Sequence, residues 1–572
     1  MSELRVWAPR AAQLDVEVAG ARRAMQRVDG GWWVVDEDRL VHGADYWLVL
    51  DDVRLPDPRS RWQPTGIDGP SRRCDPARFA WQDDAWRGFD LDTSVLYELH
   101  VGTFTPEGTY DAVTTRLDHL VELGIDAIQL MPANAYSGRH GWGYDGVLWY
   151  AVHEPYGGPP GLARFVDACH QRGLGVLLDV VYNHLGPAGN HLDRFGPYFT
   201  DRYRTLWGPA VNYDDAGSAE VRAYAIDNAL AWLRDYHLDG LRLDAVHAIF
   251  DQSAVHVLEE LSIAVTQLAD ELGRPLWLVA ESDLNDPRVV SPRDLGGLGM
   301  DAQWSDDFHH ALHAALTGER SGYYADFGPL ADVATALRQA YVYDGRYSAY
   351  RDRRHGRPAL GLEGQRFLGY LQTHDQVGNR AQGERTSQLL SPGLLRVGAA
   401  LVLTSPFVPM LFMGEEWGAT TPFQYFTDHT DPELAEAVRS GRRAEFAAFG
   451  WDPADVPDPQ DAATFARSRL DWSEPQRKPH ADLLDWHRRL ISLRRTTPEL
   501  REGSLARVHV QYDEDGRWLA VRRGDVAVLA NLAAEPRTLP ISSRDVLLAS
   551  DDVECAPGWT RLAAESAAVV RA

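Results

Sequence analysis

Eight short apolar runs, spaced by helical patterns, constrain this chain more than any other feature. They run over 95–101, 125–131, 176–182, 240–246, 276–282, near 301–308, 367–374 and 408–413. Helical patterns over 109–123, 161–171 and 219–236 lie between them. Strand, helix, strand in alternation is the signature of a parallel sheet, and eight such units predict an α/β chain closed into a (β/α)8 TIM barrel. A polar, Gly/Pro/Tyr-rich excursion over 185–218 interrupts the rhythm, and an insertion that long in a compact unit is usually functional.

Three runs end in acids. Gly240-Leu-Arg-Leu-Asp244, Leu276-Trp-Leu-Val-Ala-Glu281 and Phe367-Leu-Gly-Tyr-Leu-Gln-Thr-His-Asp375 each carry a carboxylate where the strand should stop. In a parallel barrel all C-terminal strand ends open on one face, so Asp244, Glu281 and Asp375 are expected to converge there. Arg242 and Asp244 are two residues apart on a strand and point the same way, so the guanidinium can keep Asp244 ionised. Glu281 follows an apolar run beside other carboxylates, which should raise its pKa and make it the proton donor. His184 and His374 are placed to hold sugar hydroxyls. Singly, an acid at a strand end can be a structural ion pair and a lone His a structural residue; the joint order of these residues points to glycoside chemistry.

Before and after the barrel the pattern becomes β-like. Alternating Leu14, Val16 and Val18, with apolar runs at 32–35 and 46–50, predict an N-terminal β-sandwich over 1–90. The catalytic barrel then occupies 91–498. An Asp515-Gly516 turn between alternating runs 506–510 and 518–522 predicts a hairpin within a C-terminal β-sandwich over 499–572.

Composition excludes several functions. The formal net charge of -26 is spread along the 572 residues, which argues against nucleic acid or an anionic membrane as partner. A single lysine, Lys478, in a Pro-flanked polar stretch disfavours phosphate-loop and Schiff-base chemistry. Cys74, Cys169 and Cys555 are widely spaced and odd in number, and the N-terminus lacks an apolar signal core, so a cytoplasmic protein is expected.

The segments Asp179-Val-Val-Tyr-Asn-His184, Gly240–Asp244, Val279-Ala-Glu281 and Thr373-His-Asp375 resemble the four signature regions of the α-amylase-type glycoside hydrolases. That resemblance implies Asp244 as nucleophile, Glu281 as general acid/base and Asp375 as transition-state stabiliser. It also implies substrate contacts from His184, Arg242 and His374, from Gln376 beside Asp375, and from Tyr144 stacking under a sugar. Trp142, Tyr203, Trp207 and Trp417, in Gly-rich or polar loops, are further expected sugar platforms, and Asp306 and Asp307 suit either aglycone hydrogen bonding or loop capping.

Finer segments, among them Leu99-His-Val-Gly-Thr-Phe104, Ala280-Glu-Ser-Asp-Leu-Asn-Asp286, Met413-Gly-Glu-Glu-Trp-Gly418 and Phe423-Gln-Tyr-Phe-Thr-Asp-His429, are similar to the maltooligosyltrehalose trehalohydrolases. The resemblance implies a maltooligosyltrehalose substrate and functional coupling to a maltooligosyltrehalose synthase. A 1,4-α-glucan branching enzyme is the nearest alternative, and a non-catalytic glycan-binding barrel the more remote one. Many relatives hold calcium through an Asn at the position of Asn183. Here Asn183, Asp193, Asp201, Asp214 and Asp215 form no compact loop of ligands, so neither metal nor other cofactor is expected.

Overall fold

The computed structural model describes residues 3–205, 207–448 and 456–572. Its centre is a closed barrel of eight parallel strands, β1 (Leu96–Leu99), β2 (Ala127–Leu130), β3 (Gly175–Val180), β4 (Gly240–Leu243), β5 (Trp277–Ala280), β6 (Ala302–Trp304), β7 (Phe367–Gly369) and β8 (Val408–Phe412). Neighbours in space are neighbours in sequence, and β8 closes on β1 through Met410↔Leu96.

Period-two alternation explains how these strands build a site. Leu96, Leu177, Val279 and Leu368 belong to one small apolar cluster with Ala302, Trp304 and Met410, which fills the barrel. Two residues on, the same face of each strand presents Glu98, Asp179, Glu281 and Tyr370. On these four strands an aliphatic residue below and a polar group above is therefore the repeating unit of the barrel wall.

The expected strands all occur but are shorter than the apolar runs. The run near 301–308 stops as a strand at Trp304, and Asp306–Thr317 is a helix. The run is apolar because that helix is buried too. The single helix expected over 109–123 is two, Tyr110–Thr114 and Leu117–Leu123. Between them Thr115 turns its hydroxyl onto the Ala112 carbonyl, and the helical ladder is interrupted.

The excursion contains a hairpin, Phe199–Thr205 with Gly208–Val211. A second insertion, the hairpin Asp344–Ser348 with Arg353–Gly356, stands between β6 and β7.

The N-terminal part packs two sheets, Glu3–Trp7, Trp32–Asp36 and Gln26–Arg27 in one, and Ala21–Ala24, Leu14–Val18, Asp45–Leu50 and Val53–Leu55 in the other. Their buried residues, such as Leu14, Val16 and Leu48, join the same core as the barrel's outer layer. The C-terminal part packs a five-stranded sheet on a three-stranded one around Trp518, Leu529, Leu539 and Leu562. Its hairpin pairs Val508–Asp513 with Trp518–Arg523 around the expected turn. Glu514 in that turn caps the helix Leu330–Gln339, accepting from the Leu330 and Ala331 amides at 2.9 Å each.

Candidate active site

Arg242 is the hub of the C-terminal face. Its side chain is 1% exposed, and its guanidinium lies 4.3 Å from the centre of the Trp304 ring. Nη1 reaches Asp179 at 2.8 Å and Asp244 at 2.8 Å, while Nη2 reaches Glu281 at 3.0 Å. A planar fork can hold carboxylates on both arms and stack on an indole at once; a lysine could not. The acids at the ends of β4 and β5, 37 residues apart in the chain, thus share one cation.

The two acids are driven in opposite directions. Burial alone would raise Asp244, but the Arg242 charge, His184 and hydrogen bonds from Asn183 and Arg242 outweigh it and hold the carboxyl below its usual range. Asn183 donates both to the Asp244 carboxylate and to its backbone carbonyl, at 2.8 Å. For Glu281, burial and the neighbouring charges of Asp244, Asp375 and Asp306 overcome the pull of Arg242 and push the carboxyl well above its ordinary value. Its carboxyl is positioned by the Ala245 amide at 2.7 Å. Ala245 itself has φ 40°, a left-handed conformation unusual for a residue with a Cβ, and this aims its N–H at Glu281.

Asp375 lies on a single turn of helix, His374–Gly378, capped by Thr373. Asn379 donates to its carboxylate at 2.7 Å. Gln376 turns inward, accepting from the Thr373 hydroxyl at 2.6 Å, and is 7% exposed. His374 donates from Nδ1 to the buried Glu98 at 2.6 Å, and its backbone amide donates to the same carboxylate at 2.9 Å. Burial would drive a proton off His374, but Glu98 reverses this and raises its pKa. The other ring nitrogen then donates to the Tyr144 hydroxyl at 2.9 Å, which donates in turn to Asp179 at 2.7 Å. A continuous chain, Glu98 to His374 to Tyr144 to Asp179 to Arg242, fixes the floor of the site.

Beside it is a cleft of about 260 Å³ lined by Trp142, Tyr144, His184, Trp207, Tyr425 and His429 among others. The excursion hairpin delivers Trp207, which is 50% exposed, and its ring stacks on His184 at 4.1 Å. Trp142 is nearly buried, its indole donating to the Gln424 carbonyl at 3.0 Å and stacked on Phe423. The structure thus brings together Trp142, Tyr144, His184 and Trp207, as well as Arg242, His374 and the three acids.

The remaining expectations have different outcomes. Trp417 is no cleft platform: it is fully buried, donates to Glu474 at 3.0 Å and packs against His119 and Trp472. Asp307 is a cap, accepting from the Val342 and Tyr343 amides and from Asn285. Asp306 instead faces the acids; burial and the charges of Asp283, Asp375 and Asp307 push it up to about 7, and Tyr370 donates to it at 2.6 Å. Tyr203 stacks on Phe250 at 5.2 Å and donates to Asp214. Asn183 and Asp215 spend their polar atoms on Asp244, His184, Thr200 and Ala216. Among the described residues no group of three or more His, Cys, Asp or Glu is arranged to hold a metal ion.

Sequence reading gave no role to Glu98, Trp304 or Arg351. Glu98 carried a usable signal, an acid inside an apolar strand with His100 two residues on. Arg351, at the tip of the second hairpin, reaches Asp283 at 2.8 Å across the site, a contact between distant segments with no local pattern.

Comparison with known proteins agrees with this geometry. A family model described as the alpha amylase catalytic domain matches residues 74–205, and one described as a domain of unknown function, DUF3459, matches 503–570. The malto-oligosyltrehalose trehalohydrolase of Arthrobacter ramosus is 54% identical over 572 residues, covering 99% of each chain. A Salmonella typhimurium protein provisionally assigned as an alpha amylase superposes with a TM-score of 0.91 at 38% identity, covering 100% of this chain and 97% of its own. A 1,4-alpha-glucan branching enzyme of Bacillus caldolyticus is similar over only 52% of this chain and 50% of its own, at 32% identity.

Proposed function

This chain belongs to the malto-oligosyltrehalose trehalohydrolases, and from that premise we propose how its own carboxylates divide the reaction. The enzyme is a glycoside hydrolase that cleaves the α-1,4-glucosidic bond next to the terminal trehalose of maltooligosyltrehalose and releases trehalose. In our reading an Asp244 oxygen attacks C1 of the glucosyl unit as Glu281 protonates the departing glycosidic oxygen. Trehalose leaves, and a covalent glucosyl ester remains on Asp244. Glu281, now ionised, takes a proton from water; the water oxygen bonds to C1, and Asp244 is released. Asp375 grips hydroxyls of the same sugar, while His374, with both ring nitrogens committed to Glu98 and Tyr144, fixes Tyr144 in the floor of the site.

The observation that carries this reading is the shared guanidinium. Arg242 holds Asp244 on one arm and Glu281 on the other, with the Asp244 carboxyl held below its usual range and the Glu281 carboxyl pushed well above its own. A retaining pair stands roughly 5 to 5.5 Å apart, a spacing that one guanidinium can bridge. Two inversions leave the new reducing end as the α-anomer. Proton NMR of the earliest products tests this, and a β-anomer present before mutarotation would make Asp244 a base instead of a nucleophile.

The substrate carries a non-reducing trehalose where an ordinary maltooligosaccharide has its reducing end, so a maltooligosyltrehalose synthase must precede this enzyme in trehalose biosynthesis. We place both in the cytoplasm, a reading supported by the three free cysteines. No helix among the described residues is long and apolar enough to cross a membrane.

A further inference from the structure

One helix beyond the barrel strands reaches back into the site. Pro432–Ala448 follows β8 in the chain, and its half-buried residues Leu434, Ala435, Val438, Arg439 and Arg442 form one stripe, with Glu433, Glu436, Ala437 and Ser440 exposed. Leu434 and Val438 line the cleft of about 260 Å³ beside the acids. Arg442 stands one turn further along the same stripe, since residues four apart share a helix face.

The Arg442 side chain reaches the turn that carries Asp375. Its Nη1 donates to the side-chain oxygen of Asn379 at 2.8 Å, and its Nη2 donates to the Gly378 carbonyl at 2.6 Å. Asn379 closes that turn, and its Nδ2 donates to the Asp375 carboxylate at 2.7 Å. A guanidinium only donates and an ionised carboxylate only accepts, so an amide between them satisfies both in one orientation alone. The charge on Arg442 also polarises the amide and strengthens the bond it makes to Asp375.

A second set of contacts fixes Arg442 itself. Its guanidinium lies 4.7 Å from the centre of the Tyr425 ring, and Tyr425 meets Trp142 edge-on at 5.1 Å. Trp142 in turn packs flush on Gly378, where an added Cβ would come within 2.0 Å of the indole. The turn bearing Asp375 is thus held by an indole and a guanidinium together. We infer that Arg442 is a positioning residue for the hydrolysis, holding Asn379 so that its amide keeps the Asp375 carboxylate aimed at the sugar. This rests on the role given to Asp375 above. The helix that walls the cleft therefore also sets the aim of an acid at the end of the seventh strand unit.

Steady-state kinetics on maltotriosyl trehalose test the inference with Arg442→Ala, Asn379→Ala, the double variant and Asp375→Asn. Arg442→Ala should lower kcat at least ~10-fold while KM changes less than about threefold, because the acid it aims acts mainly on the transition state. In the Asn379→Ala background the same substitution should cost less than about twofold more, since the link to Asp375 is already cut. A residue that merely seats the helix would cost the same factor in both backgrounds. If the alanine variant loses its native circular-dichroism spectrum, Arg442→Lys takes its place. One ammonium cannot hold Asn379 and Gly378 as the fork does, so kcat should still fall at least about threefold, with the same dependence on Asn379. A kcat within about twofold of the parent, or equal losses with and without Asn379, overturns the inference even where Asp375→Asn is severely impaired. A near-native Asp375→Asn would overturn the role of Asp375 and the inference with it.

Discussion

Asp244 and Glu281 rest on one guanidinium, so any change at Arg242 reaches both. With Arg242→Lys the fork is lost, and Asp244 should titrate at higher pH. The acid limb of the kcat/KM profile should therefore move upward, and an unmoved limb would mean that Arg242 does not set it. In the mechanism proposed above, catalysis needs Asp244 ionised and Glu281 protonated. Activity should persist through the ordinary carboxylate range and fall on the alkaline side as Glu281 loses its proton, well above its usual 4.5. Glu281→Gln should abolish that alkaline limb. Asp244→Asn and Glu281→Gln should each lower kcat at least ~1,000-fold with the fold intact by circular dichroism, because both groups act on the transition state. Asp244 and Glu281 were legible in the sequence because each ends an apolar strand, and Asp375 because Thr373-His-Asp375 follows one, although it lies on the helical turn beyond β7. Glu98 left only the signal of an acid inside an apolar strand, because its use depends on His374, 276 residues away. Trp417 misled because a Gly-flanked aromatic looks the same whether its loop faces solvent or folds under Trp472.

Among elements, the excursion hairpin has the clearest separable task, which is to lay Trp207 on His184 at the cleft. Trp207→Ala should raise KM about three- to tenfold while kcat changes less than twofold, since stacking of this kind contributes about 1 kcal/mol to binding. An equal loss in kcat would place the ring in the transition state. The excursion's length announced a functional segment, but not the pairing of Phe199–Thr205 with Gly208–Val211. Strand positions were readable from apolar runs; strand ends were not. At Ser305 the chain passes from barrel strand into a helix buried along most of its length, so hydrophobicity continues while the conformation changes. The second hairpin, Asp344–Gly356, is polar and only partly buried and offered no such run.

At the scale of the whole molecule, the order of sandwich, barrel and sandwich follows from where the periodicity switches between two and 3.6. What periodicity cannot give is how the units meet, and it is there that Glu514 caps a barrel helix. Asp214 and Asp215 of the excursion are committed to local hydrogen bonds, so extended EDTA dialysis should leave activity intact; complete loss restored by calcium would contradict that. The central claim is cleavage directed by a terminal trehalose. A site built on hydrogen bonds to a particular sugar pair discriminates strongly against ligands that leave them unmade. The most direct measurement is product analysis on maltotriosyl trehalose and on maltopentaose of equal length. The account predicts much faster cleavage of the first, with free trehalose as the main small product. Equal rates on both, or no trehalose with new α-1,6 linkages instead, would contradict it.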